Sequence, residues 1–345
     1  MKIMANTVTL ARIALLPIPC AFLLYGGMCA WWISLILFSL LGATDFIDGI
    51  MARRDGPTRL GGLIDPIADK IFVAAVALSF TSVGFFGSWF PILILSREFI
   101  LISLRASVAF RGEIIKTSKL GKIKTIYQMG GLATIFLSLA LPINVFIWFC
   151  FISSGIIFLF WFFLFLFRSP PYWLLPVVFV LFLVAIFRIF LLKQEIMIVQ
   201  AIIIVGITWI SGINYLFSSF KFFKKNAFKC CDFLRLFWAL SCSVLLVYLL
   251  DIYHFLLIPI LFFISFELAL GGVDAIIAED KKYVGSKPFI FSTIVAVLIF
   301  LIVFANYLRF ISLNVLLSSI VAAILSGLSF IVVFMKWHKF FKKSF

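Results

Sequence analysis

Charge is the scarcest feature of this chain. Only 12% of its 345 residues are Asp, Glu, Lys or Arg and two are His, while 65% are hydrophobic and the mean hydropathy is +1.24. An ordinary soluble domain needs a charged shell, so this composition excludes one. Cysteine is also sparse. Cys20, Cys29, Cys150, Cys230, Cys231 and Cys242 fall mostly inside apolar stretches with no metal-ligand spacing, so they read as reduced, structural thiols. The first apolar run contains Arg12 and lacks a small-residue cleavage site, so it is expected to stay as a span rather than be removed as a signal peptide.

What fills the chain instead is apolar runs of about 20 residues, each able to cross about 30 Å of hydrocarbon as a helix. They fall at about 7–27, 29–50, 63–85, 87–108, 124–143 and 147–167, then 172–192, 197–219, 236–255, 256–277, 288–307 and 311–335. The fold class is therefore all-α, a polytopic membrane helical bundle. The formal charge of +15 does not point to nucleic acid. With a cytoplasmic N-terminus the basic residues gather at alternate loops, among them Arg53, Arg54 and Arg59; Arg111, Lys116, Lys119, Lys122 and Lys124; and Lys221, Lys224, Lys225 and Lys229. The opposite loops hold little beyond Lys193 and Arg309. This is the positive-inside pattern, and it predicts an integral protein whose acidic cluster faces the cytoplasm.

That cluster is the most informative feature. Asp45 and Asp48 lie near the end of the second run, and Asp65 and Asp69 near the start of the third. Spacings of three and four put each pair on one helix face. Ionised carboxylates at membrane depth need a wet cavity, a cation or a partner. Four gathered together would repel one another unless divalent ions neutralised them, and oxygen-only ligands suit magnesium or manganese. A lone Asp here would read as a solvated helix end; four in one frame do not.

The surrounding residues narrow the chemistry. The chain reads Asp45-Phe-Ile-Asp48-Gly49-Ile-Met-Ala52-Arg53, then seven residues from Arg54 to Leu60, then Gly61, Asp65 and Asp69. Gly49 and Ala52 remove bulk where a flat base or a diphosphate would approach, and Arg53 suits forked phosphate recognition. The pattern resembles the signature of the CDP-alcohol phosphatidyltransferases, with a loop one residue shorter than the family's usual form. The resemblance implies a six-helix core with about six further transmembrane helices here. It makes Asp45, Asp48, Asp65 and Asp69 ligands of a two-metal Mg2+ or Mn2+ site, Asp69 the catalytic base, and Gly49, Ala52, Arg53 and Gly61 contacts to CDP. It also suggests a homodimer.

Other features of the first half extend this reading. Asn6, Thr9 and Arg12 form a polar stripe on the first helix. Thr9 and Arg12 are candidates for the CDP side of the site, although Arg12 alone would also suit snorkelling to the interface. Arg97, Glu98 and Arg105 interrupt the fourth run, and Lys119, Gly121, Lys122, Lys124, Thr125, Gln128 and Met129 open the fifth. These segments resemble the branch of the family that uses glycerol 3-phosphate, implying CDP-diacylglycerol and glycerol 3-phosphate as substrates. Arg97, Arg105, Lys122 and Lys124 are then candidates for the acceptor phosphate. Other members take inositol phosphate, serine, choline or phosphatidylglycerol, so the acceptor stays open at this point. So does a non-enzymatic transporter or scaffold with a cation site. Aspartate-rich membrane prenyltransferases also pair acidic motifs, but on distant helices and without the intervening Gly and Ala-Arg.

The resemblance covers about residues 5–167. After Ser169, Pro170 and Pro171 the chain carries no catalytic motif and no repeat of the first half. We therefore expect two domains: 1–168, the phosphatidyltransferase unit, and 169–345, an additional transmembrane domain. An oligomerisation role, a lipid-handling role and a second activity are all compatible with the second domain. The expected location is the inner membrane of a bacterium.

Overall fold

A computed structural model describes residues 2–55, 61–109, 119–167, 174–225, 230–252, 254 and 257–279. Among them there is no strand. The helices are α1 (Lys2–Leu15), α2 (Pro17–Tyr25), α3 (Met28–Asp55), α4 (Gly61–Ser82), α5 (Trp89–Ala109), α6 (Lys119–Ala140), α7 (Ile143–Phe167), α8 (Leu174–Phe190), α9 (Lys193–Lys225), α10 (Cys230–Ile252) and α11 (Leu257–Glu279). The spans expected at 288–307 and 311–335 lie outside the described residues.

The first expected span is two helices, not one. Pro17 has no N–H to continue the ladder, and Leu16 instead donates to the carbonyl of Ile13 at 3.4 Å. The chain then reverses at Gly26 and Gly27, whose φ angles of 74° and 88° belong to the left-handed region that glycine tolerates. Among the described residues three stretches are long and apolar enough to cross a membrane by length and composition alone: Thr7–Tyr25, Ile143–Leu166 and Lys193–Lys224. Helices α4 and α5, of 22 and 21 residues, have the length but are interrupted by Asp65, Asp69 and Lys70 in one and Arg97, Glu98 and Arg105 in the other. Those interruptions are the site.

Helix α4 forms the centre. Ala74, Ala75, Ala77, Leu78 and Phe80 are fully buried, and their mostly small side chains let α1, α2, α5, α6, α10 and α11 pack around it. Aromatic contacts tie α3, α4 and α6 together: Phe38 meets Phe72 at 5.7 Å and Phe136 at 5.6 Å, and Phe80 meets Phe136 at 4.6 Å. Helices α7 and α8 form a peripheral pair, and with the start of α9 they enclose a small separate core of Phe146, Cys150, Val184, Ala185 and Ile196.

The helices after residue 169 pack directly on the first half. Helix α9 lies against α5 and α6, α10 against α5, and α11 against α4 and α5. Glycines set these approaches. A Cβ at Gly271 would stand 2.3 Å from Cγ2 of Ile102, and one at Gly131 would stand 2.7 Å from Ile204. Ser96 and Ser243 share a buried hydrogen bond of 2.7 Å between α5 and α10.

Candidate active site

Asp45 and Asp48 lie on α3, and Asp65 and Asp69 on α4. A Cβ added at Gly42 of α3 would touch Cζ of Phe72 of α4 at 3.7 Å, so the two helices meet there. Three residues onward from Gly42 is Asp45, and three back from Phe72 is Asp69; about one further turn reaches Asp48 on α3 and Asp65 on α4. Pro66, between Asp65 and Asp69, also removes the N–H that would reach the carbonyl of Gly62. The side chains of Asp45, Asp48, Gly49, Ala52, Arg53, Gly61 and Lys122 lie outside the described residues.

The polar stripe of α1 turns inward onto α4. The Thr9 hydroxyl donates to Oδ1 of Asp65 at 3.2 Å, and Nη2 of Arg12 lies 3.4 Å from Oδ1 of Asp69. Arg12 is 2% exposed, so it does not snorkel; its charge is matched inside the protein. Asp69 keeps 30% of its side chain accessible, open to the space beyond.

That space is a cavity of about 590 Å³ between α4, α5, α6 and α9. Among the described residues its charged lining is Asp69, Lys70, Arg97, Glu98, Arg105 and Lys124, four cations against two carboxylates. Glu98 is the hub: it accepts from Arg97 Nη1 at 2.9 Å and from Lys124, and Lys70 approaches its other oxygen at 4.0 Å. Arg105 has no carboxylate partner among the described residues. Its Nη2 donates to the Tyr215 hydroxyl at 2.5 Å, and its guanidinium lies 4.9 Å from the centre of the Tyr215 ring. Arg105 Nε and the Nε2 of buried Gln128 have no hydrogen-bond partner among the described residues. An unneutralised guanidinium and spare buried donors make this an anion-accepting cavity.

The wider comparison with known proteins agrees. A profile of the CDP-alcohol phosphatidyltransferases matches residues 2–161. A CDP-diacylglycerol–glycerol-3-phosphate 3-phosphatidyltransferase of Bacillus subtilis is 36% identical over 137 residues, 36% of this chain and 71% of the relative. A probable phosphatidylglycerophosphate synthase of Mycobacterium tuberculosis is 34% identical over 146 residues, 41% of this chain and 69% of the relative. A Rickettsia typhi protein with the same name as the Bacillus one is 34% identical over 138 residues, 40% and 78% of the two chains.

The chain belongs to the CDP-alcohol phosphatidyltransferase family.

It is thus an integral membrane transferase of phospholipid synthesis, as its sequence predicted. Of the candidate residues in this phosphatidyltransferase, the cavity brings together Asp69, Arg97, Arg105 and Lys124. Asp65, Thr9 and Arg12 stand beside it on α4 and α1. Lys124, which the charge pattern alone would leave as an interfacial anchor, is buried on Glu98. Lys70, Gln128 and Tyr215 also line the cavity and were not among the candidates. Lys70 follows Asp69 directly, and that adjacency was its signal. Gln128 was visible within the motif but had no role attached. Tyr215 lies in a stretch without charge, and nothing in the sequence marked it.

Among the described side chains no three acidic, histidine or cysteine residues gather as a metal group. Asp65 and Asp69 supply two of the four expected carboxylates, oxygen donors of the kind hard divalent ions take.

Proposed function

We propose that this enzyme transfers the phosphatidyl group of CDP-diacylglycerol to glycerol 3-phosphate and releases CMP, with its active site on the cytoplasmic side of a bacterial inner membrane. The observation that carries the acceptor is the cavity beside Asp69, where, among the described residues, four cationic side chains face two carboxylates. A phosphorylated alcohol matches that excess charge, whereas an uncharged alcohol, or serine with its ammonium beside its carboxylate, brings no net negative charge to it. The names of the relatives point the same way.

Asp45, Asp48, Asp65 and Asp69 would hold two Mg2+ or Mn2+ ions. When bound, these ions would offset the carboxylate charge and stabilise the diphosphate and the departing CMP. Gly49, Ala52, Arg53 and Gly61 would receive the CDP part, with Thr9 orienting Asp65 and Arg12 orienting Asp69 from the same side. Arg97, Arg105, Lys122 and Lys124 would hold the phosphate of the acceptor, so that its free hydroxyl meets Asp69. Asp69 takes the hydroxyl proton as the oxygen attacks the phosphorus that bears diacylglycerol. The bond from that phosphorus to the bridging oxygen then breaks, and the oxygen leaves on CMP. In this reading residues 1–168 carry the metal-binding and CDP-binding residues, and 169–345 form a further membrane unit whose α9 lines the acceptor cavity.

The test is CMP release in detergent with each acceptor alcohol in turn. Glycerol 3-phosphate is expected to support the fastest release, dependent on Mg2+ or Mn2+, and Asp69→Asn is expected to slow it by about 10²–10⁴-fold. Equal rates with an unphosphorylated alcohol would overturn the acceptor assignment.

A further inference from the structure

Helix α9 lies beyond residue 161, where the family match ends, yet one of its faces reaches the charged cavity. Ser211, Gly212 and Tyr215 share that face, at helical spacing. The Ser211 hydroxyl accepts from Arg97 Nη2 at 2.8 Å and itself donates to the carbonyl of Thr208 at 2.8 Å. Gly212 leaves the room Arg97 occupies, since a Cβ there would sit 3.3 Å from its Nε. Tyr215, 5% exposed, holds Arg105 by both its hydroxyl and its ring.

The chemistry of these partners is informative. A carboxylate would orient an arginine equally well but would cancel its charge. At Arg105 a phenol fixes the guanidinium and leaves the charge available to an incoming oxyanion, whereas Arg97 is held by Ser211 and also pairs with Glu98 at 2.9 Å. At Arg105 the arrangement also leaves Nε without a partner among the described residues.

We infer that α9 is a working part of the acceptor site, and that Tyr215 and Ser211 are positioning residues that aim Arg105 and Arg97 at the phosphate of the acceptor alcohol. This rests on the reading of those arginines as acceptor-phosphate ligands. It means that acceptor affinity in this chain depends on a helix outside the family's matched region.

The experiment uses the full-length protein in detergent, measuring KM for glycerol 3-phosphate, KM for CDP-diacylglycerol and kcat. Tyr215→Phe, which keeps the ring, is expected to raise the acceptor KM about tenfold, the effect of losing one hydrogen bond to a charged group. KM for CDP-diacylglycerol and kcat at saturation should stay within about twofold. Ser211→Ala should show the same selective rise at Arg97, and Tyr215→Leu, which also removes the ring, a larger one. Because Tyr215 acts through Arg105, adding Tyr215→Phe to Arg105→Lys should produce no further rise, whereas a general structural role would add to it. An acceptor KM that Tyr215→Phe leaves unchanged, or a parallel rise for both substrates, overturns the inference. Arg105→Ala separates the two levels. If it raises the acceptor KM while Tyr215→Phe does not, the site assignment stands and the role of α9 fails; if it too leaves that KM unmoved, the assignment itself fails and takes this inference with it.

Discussion

Helices α4 and α7 are of similar length, 22 and 25 residues, and both are strongly apolar, yet they occupy opposite environments. Helix α4 is enclosed by six others and carries Asp65, Asp69 and Lys70. Helix α7 has no charged residue, and among its described side chains only Phe146, Cys150 and Ser154 are buried. Its outer face is an aromatic ladder, Phe158 stacked on Trp161 at 6.2 Å and Trp161 on Phe165 at 5.5 Å. In water the more apolar helix would be the inner one. Lipid tails are as apolar as any core, so the sorting here follows charge: polar groups are expelled from lipid into the bundle, and small residues rather than greasy ones make the central contacts.

The sharpest way to break this contrast is to remove the carboxylate at the centre. Glu98 is 3% exposed and faces Lys70, Arg97 and Lys124. Glu98→Gln leaves those cations without their shared counter-charge, and breaking a buried ion pair from one side costs about 3–5 kcal/mol. Thermal unfolding in detergent should show a large fall in Tm. An unchanged Tm would mean that these charges are paired with solvent rather than with one another.

The same contrast explains how much was readable in advance. The helices α3 to α11 lie where runs of apolar residues put them, because bilayer thickness fixes their length. The Asp65–Asp69 pair and its α1 partners Thr9 and Arg12 were readable because charge and hydroxyl groups are conspicuous against a greasy background. The break at Leu16 was not read, although Pro17 announces it, since the apolar run continues through it. Tyr215 and Ser211 were unreadable for a deeper reason. They are neutral residues on an apolar helix, and their importance arises only from meeting Arg105 and Arg97 across a gap of more than 100 positions in the chain. Glu98 is conspicuous in the sequence as a charge interrupting an apolar run, but its place as a hub requires Lys70, Arg97 and Lys124 to converge on it.

A medium-sized effect is expected where α11 meets α5. Gly271→Leu drives a side chain into Ile102, and overpacking of this kind costs about 1–3 kcal/mol. Gly155 on α7 has nothing within 4 Å of where its Cβ would be, so Gly155→Leu should stay within about 0.5 kcal/mol of the parent. Measured side by side by thermal unfolding, the two substitutions isolate close helix approach from the general cost of replacing a glycine. Equal effects would show that α11 does not rest on α5 as described.

The smallest effect belongs to the outer ladder. Phe162 on α7 is 45% exposed and touches Phe158 with rings 6.5 Å apart. Phe162→Leu exchanges one apolar surface for another, and a lipid tail receives either almost equally well, so stability is expected to change by less than about 0.5 kcal/mol and CMP release not at all. The informative outcome is a failure of that expectation. A marked loss of stability, or a change in the size of the particle in detergent, would mean that the ladder meets protein instead of lipid. In that case the absence of charge on α7 would mark an interface rather than a periphery.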